Sequence, residues 1–184
     1  MSTRPLPNII ITGTPGTGKT SHAELIVKEA PAFRHINITD FAKENDCFDG
    51  YDEERKSHIV DEDKLCDAIE PELEKGGVIV DWHANDLFPE RLIDLVIVLK
   101  TDNGVLFDRL NKRGYAQSKI DENIDCEIMG IIAQEAREGY QPEIIVELDS
   151  NTTDDIDSNV ERIISWVDTW KSDHPNGASN ELSV

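Results

Sequence analysis

The chain has 184 residues and carries 38 Asp and Glu against 18 Lys and Arg, a formal net charge of −20. That excess argues against binding to bare nucleic acid, which needs a basic footprint. No apolar stretch approaches membrane-spanning length and the first seven residues lack a signal-like apolar core, while three isolated cysteines (Cys47, Cys66, Cys126) suit a reducing compartment better than a metal site.

An apolar run at 8–12, Asn-Ile-Ile-Ile-Thr, predicts a buried strand. It leads directly into Gly13-Thr14-Pro15-Gly16-Thr17-Gly18-Lys19-Thr20, and a helix is expected from Lys19 to about residue 30, ended by Pro31. Strand, glycine-rich loop and helix N-terminus in that order are the context of a phosphate-binding loop, G-x-x-x-x-G-K-[ST]. Main-chain amides around Gly16, Gly18 and Lys19 are expected to wrap a β-phosphate at the positive end of the helix. Lys19 would bridge the β- and γ-phosphates, and the Thr20 hydroxyl would hold Mg²⁺. Gly13, Thr17 and Ser21 complete the expected triphosphate-binding set. The acidity does not oppose this, because remote carboxylates are screened over about 8 Å at physiological salt.

A short strand is expected at 35–38, with Thr39-Asp40 as an N-cap pair for a helix through 45. Residues 46–60 look polar and irregular, with a turn at Asp49-Gly50. A helix over 61–75 carries Leu65, Ile69 and Leu73 at i, i+4 and i+8, and Pro71 predicts a kink or early end before Gly76-Gly77 closes it. Between residues 40 and 74 there are fourteen acids against four bases, a net of −10. This is either a solvated surface or a docking face for a basic protein.

Strands are expected at 78–81, ending in Asp81, and at 95–99. Thr101-Asp102 caps a helix to Arg113, which Gly114 breaks. A loop at 115–119, a helix over 121–138, a strand at 144–148 and a capping region at 150–155 follow. The last helix presents Ile163, Trp166, Val167 and Trp170 on its apolar side. Residues 175–184 read as a disordered tail. The alternation predicts an α/β fold in three layers, a five-stranded parallel sheet within one domain over 1–174.

Asp81 at a strand end is the expected second-motif acid for Mg²⁺, though such a residue also caps loops. The sequence Asp81-Trp82-His83 puts imidazole near the expected γ-phosphate, where it can orient a water or an acceptor; a structural histidine is the plainer alternative. His22, His35 and His58 read as structural. Arg109 and Arg113 lie four apart at the base of a short lid, where both can reach phosphoryl oxygens; the helix dipole alone also favours cations there. Asn111-Lys112-Arg113-Gly114 lacks the Asp of a guanine-reading motif, and Trp82 replaces the Glu of large remodelling ATPases. What remains is the small kinase-like group.

Together with the phosphate loop, the stretches Asn37-Ile38-Thr39-Asp40, Asp49-Gly50-Tyr51-Asp52-Glu53-Glu54, Val78-Ile79-Val80-Asp81-Trp82-His83, Phe88-Pro89-Glu90-Arg91, Arg113-Gly114-Tyr115 and Cys126-Glu127-Ile128 resemble the adenylate kinase isoenzyme 6 family. The resemblance runs from Asn8 to about Trp170. It implies a nucleoside monophosphate kinase fold, MgATP and AMP as substrates giving two ADP, broad monophosphate specificity, and ATPase activity. It also implies catalytic roles for Lys19, Asp81, His83 and Arg113, with Arg109 and Arg113 on ATP. A monophosphate-binding segment around 37–60 would use Thr39, Asp40, Lys43 and Arg91, under a lid around 112–122. Lys43 stands where many nucleotide kinases place Arg, and it lacks the bidentate fork. In the cell the resemblance implies maturation of the small ribosomal subunit and its 18S rRNA, in nucleus and cytoplasm, beside a basic platform ribosomal protein on the pre-40S particle. An assembly switch with incidental kinase activity, or a small-metabolite kinase, are the alternatives.

Overall fold

The structure is a computed structural model, described here for residues 2–181. Its elements are β1 (Thr3–Arg4), β2 (Ile9–Thr12), α1 (Lys19–Glu29), β3 (Arg34–Asn37), α2 (Ile38–Glu44), β4 (Phe48–Asp52), β5 (Ser57–Val60), α3 (Glu62–Lys75), β6 (Val78–Asp81), β7 (Leu95–Lys100), α4 (Asn103–Lys112), α5 (Gln117–Met129), α6 (Ile131–Gly139), β8 (Ile145–Asp149), α7 (Thr153–Asp173) and β9 (Ala178–Ser179). The main sheet runs β3-β6-β2-β7-β8 with every neighbouring pair parallel. Ile10, Val78, Val80, Val96 and Val98 face one helical layer, packed with Leu65, Ile69 and Leu73 of α3 and Ala133 and Ala136 of α6. Ile9, Ile11, Ile79, Ile97 and Leu99 face the other, with Ala23 and Ile26 of α1 and Val160, Ile163 and Val167 of α7. Both faces are covered, which is why these strands read as unbroken apolar runs. The expected three-layer α/β architecture is what forms.

In this order β2 and β7 are neighbours, and the chain runs on from β2 toward β3 on one side and from β7 toward β8 on the other. A crevice opens at the carboxyl ends of strands where that happens. The phosphate loop, Asp81 and Thr101 all lie there.

Several local expectations change. α3 continues through Pro71 to Lys75. The buried Leu65, Ile69 and Leu73 hold it against the sheet, offsetting the roughly 3 kcal/mol an internal proline costs. The stretch 46–60 is no irregular loop: β4 and β5 pair antiparallel, with Phe48 and His58 stacked at 4.5 Å. Gly50 (φ 130°) sits in β4 where the register shifts, and the turn falls later, with Lys56 at φ 50°. The cap of α2 is Asn37, whose side chain accepts from the Asp40 N–H, not Thr39-Asp40. The helix expected over 121–138 is two, α5 and α6, broken at Gly130 in the left-handed region.

The expected disordered tail also needs correction. β9 pairs antiparallel with β1, Thr3 opposite Ser179 and Arg4 opposite Ala178. Arg4 is 3% exposed and holds the two termini together. Its guanidinium grips Asp94 in a fork, Nε to Oδ2 at 3.0 Å and Nη2 to Oδ1 at 2.7 Å. Its Nη1 donates to the Ser179 carbonyl and to Asn180 Oδ1, both at 3.0 Å. Residues 182–184 lie outside the described residues.

Arg4→Met strands the largely buried Asp94 carboxylate without its cation. The expected outcome is a loss of about 3 kcal/mol, read as a lowered urea unfolding midpoint; an unchanged midpoint refutes the staple.

Candidate functional site

Three consecutive carbonyls of the phosphate loop are each held by a side chain that does not line the cavity. Arg109 Nη1 donates to Gly16 O at 3.2 Å, Ser150 Oγ to Thr17 O at 2.6 Å, and His22 Nδ1 to Gly18 O at 2.7 Å. A planar trans peptide points its N–H opposite its C=O. Occupying the carbonyls of Thr17 and Gly18 from behind therefore turns the N–H groups of Gly18 and Lys19 the other way. Gly18 itself has φ 94° as the cap of α1, a conformation only glycine takes without strain. Gly13 is needed for space, since a Cβ there would lie 2.5 Å from Thr17 Oγ1.

The brace is built from buried groups. Asn159 Nδ2 lies 3.2 Å from His22 Nε2 and 2.9 Å from Asp149 O. An amide nitrogen only donates, so the proton on fully buried His22 sits at Nδ1, and burial holds the ring below the usual histidine range. On the loop's other flank, Glu127 of α5 accepts from Thr14 Oγ1 at 2.6 Å and from the Thr101 N–H at 3.0 Å. Read from sequence, none of Ser150, Asn159 and Glu127 has a place in the site: Ser150 falls in a helix-capping region there and Glu127 within a family-like stretch. Ser150 follows β8, the last strand of the main sheet, directly, which is the one local signal available.

In front of the loop is a cavity of about 320 Å³, where Gly16, Lys19, Thr20, Asp81, His83 and Arg113 converge. Ser21 and Thr39 also line it, as do Tyr115 and Trp82. Lys19 folds back over the loop, donating to Gly13 O at 3.0 Å and Thr14 O at 3.2 Å. Burial pushes its pKa down to about 8 despite the attraction of Asp81, with Arg113 adding repulsion. Thr20 Oγ1 donates to Asp81 Oδ2 at 2.7 Å. Burial raises the Asp81 pKa, but hydrogen bonds from His35 and Thr20 outweigh it and keep the carboxyl below its usual range. A hydroxyl and a carboxylate supply only hard oxygen donors, and no group of three His, Cys, Asp or Glu that could hold a metal occurs among the described residues. This suits Mg²⁺, which binds through one or two protein oxygens plus phosphates and water.

His83 stands at the cavity mouth, its ring edge-on to Trp82 at 5.1 Å. Its backbone is fixed by Thr12 Oγ1, which donates to His83 O at 3.2 Å. The ring stays open to solvent on one side, yet lost hydration against the cleft, then Lys19 and Lys119, push its pKa down to about 4. Lys119 in turn lies over the Tyr115 ring at 4.7 Å.

Some expected site residues are placed elsewhere. Arg109 does not line the cavity: besides Gly16 O it donates to Ser150 O at 2.9 Å and Asn151 O at 3.0 Å, because carbonyls at the end of β8 face it. Arg91 is captured by Glu70 and Glu74 of α3 and by the Asn180 carbonyl, far from the phosphate loop in the fold. Lys43 is exposed in the last turn of α2. Asp40 lines a second cavity of about 390 Å³ that adjoins the first through Thr20 and Asn37.

A family model described as "AAA domain" matches residues 9–130. An "Adenylate kinase isoenzyme 6 homolog FAP7" of Saccharomyces cerevisiae is 59% identical, covering 95% of this chain and 89% of the relative. The homolog HBR1 of Candida albicans is 56% identical over 100% of this chain and 77% of the relative. A homolog in Schizosaccharomyces pombe is 52% identical over 93% and 97%. Among solved structures, a shikimate kinase from Bacteroides thetaiotaomicron shares the fold at TM-score 0.56 and 15% identity, covering 89% of this chain and 99% of that one.

In the nucleotide-free protein the His83 Cε1 proton should titrate by NMR with a midpoint near 4. A midpoint close to 6.5 would show that the cleft and the two lysines do not act on the ring.

Proposed function

The chain belongs to the adenylate kinase isoenzyme 6 family, and on that premise we propose that it transfers the γ-phosphoryl group of MgATP to AMP or to water at the cavity in front of the phosphate loop. The observation that carries this is the convergence of Lys19, Thr20, Asp81, His83 and Arg113 on one cavity. Lys19 would neutralise β- and γ-phosphate oxygens, and Thr20 and Asp81 would hold a magnesium ion, which when bound would draw charge from those phosphates. Arg113 meets charge that develops on the transferring group. His83, neutral at pH 7, can accept a proton from the attacking water or orient it.

The placement of Arg91 and Lys43 favours a second emphasis within this reading. Neither offers its charge to the cavity, so the phosphate of an accepted monophosphate has no guanidinium clamp from them. We therefore weight hydrolysis above transfer, with a broad and modest preference among monophosphates. Hydrolysis then serves as a switch that holds and releases a basic small-subunit ribosomal protein during pre-40S and 18S rRNA maturation, in nucleus and cytoplasm. The supporting feature is the net charge of −10 between residues 40 and 74, which complements a basic partner.

Lys19→Ala should abolish saturable ATP association, measured by calorimetry in magnesium. His83→Ala should lower ATP turnover by roughly 100-fold while leaving ATP affinity near wild type; unchanged turnover removes His83 from the chemistry. Turnover should rise little on adding AMP and change on adding a purified basic small-subunit ribosomal protein. Strong dependence on AMP with no response to the protein would reverse the emphasis to phosphotransfer.

A further inference from the structure

One carboxylate oxygen of Asp81 collects three donors. Thr20 Oγ1 reaches Oδ2 at 2.7 Å, His35 Nε2 at 2.9 Å and Asn37 Nδ2 at 3.4 Å. No hydrogen bond from the described residues goes to Oδ1. The asymmetry comes from strand register. β3 runs parallel to β6 with His35 opposite Ile79 and Asn37 opposite Asp81. Residues two apart on a strand share a face, so His35 and Asn37 point the same way. The longer imidazole, starting one step further back, reaches the same oxygen as the shorter amide.

The Asp81 side chain is 3% exposed and that of His35 20%. A carboxylate that is ionised only accepts, so the imidazole must present an N–H at Nε2. Without that N–H the remaining contacts are the Thr20 hydroxyl, itself an expected metal donor, and the long Asn37 contact. A hydroxyl can give a lone pair to a metal while its proton still donates to Asp81 Oδ2, so Thr20 and His35 would hold that oxygen together and His35 is the support that does not itself touch the metal.

We propose that His35 is a positioning residue for magnesium: it anchors Asp81 through Oδ2 and so leaves Oδ1 unengaged for the metal or one of its waters. This rests on the magnesium-nucleotide reading above and assigns a role to a histidine that sequence alone marks as structural. Partners that orient a metal-binding carboxylate are commonly worth 10- to 100-fold in metal affinity or activity. Imidazole does this here through the nitrogen it gives the carboxylate, and not by touching the nucleotide.

The test compares ADP affinity by calorimetry in magnesium and in EDTA for wild type, His35→Phe and His35→Gln. The expected result is that the gain in affinity conferred by magnesium shrinks roughly tenfold in His35→Phe. Affinity in EDTA should stay within about twofold of wild type, and His35→Gln, which keeps an N–H donor, should recover most of the gain. A full magnesium gain in His35→Phe overturns the inference alone. An equal loss with and without magnesium also overturns it, since that is what a merely structural side chain would do. Failure of His35→Gln to recover any gain counts against it too. Wild-type protein that binds ADP with no magnesium gain removes the metal role of Thr20 and Asp81, and this inference with it. Wild-type protein that binds no ADP at all strikes instead at the proposed function.

Discussion

The site depends on a loop whose carbonyls are held from behind. A short stretch of glycine-rich backbone has many conformations available, and each residue fixed costs roughly 1–2 kcal/mol of entropy. Buried Ser150 and His22, with half-buried Arg109, meet that cost with hydrogen bonds. The charged donor among them, Arg109, contributes more than a neutral one. With its carbonyls held from behind, the loop presents its amides to an anion in a fixed direction. Ser150 couples the loop to the end of β8, Arg109 couples it to α4, and Asn159 links His22 to α7, elements distant in sequence.

The rest of the constellation follows from strand order. With β2 flanked by β6 and β7, the ends of three adjacent strands deliver the loop, Asp81 and Thr101 to one edge. β3 adds Asn37 and His35 beside Asp81, and Ser150 follows β8. Glu127 joins α5 to this edge through Thr14 and Thr101, so that helix and the phosphate loop share one buried carboxylate. The helices above only need to cover apolar faces, and they do so with unexceptional packing.

The charge of the whole chain and the charge of the site act over different distances. The −20 total is spread over a surface where salt screens beyond about 8 Å. Within the cavity Lys19 is close enough to Arg113 and His83 to disturb both its own protonation and that of the histidine. An anionic ligand relieves that crowding of positive charge. An acidic exterior around a cationic cleft therefore carries no contradiction.

The sequence alone determined the phosphate loop, the strand-end carboxylate and the buried parallel sheet. Those signals are local: glycine at positions that need positive φ or close approach, a lysine at a helix start, and apolar runs long enough for two covered faces. It did not determine which way the longer polar side chains reach. Spacing makes Arg109 a phosphate ligand and the family resemblance makes Arg91 one, yet the first braces the loop's carbonyls and the second joins α3 to Asn180. His35 reads as structural and stands against Asp81; the stretch after His174 reads as disordered, yet Ala178 and Ser179 within it pair with β1. In each case the deciding partner comes from another element of the fold, supplied by strand order, register and helix packing. A flexible cation or a lone imidazole takes whichever acceptor the fold brings within 3 Å, and only the tertiary structure sets which one that is.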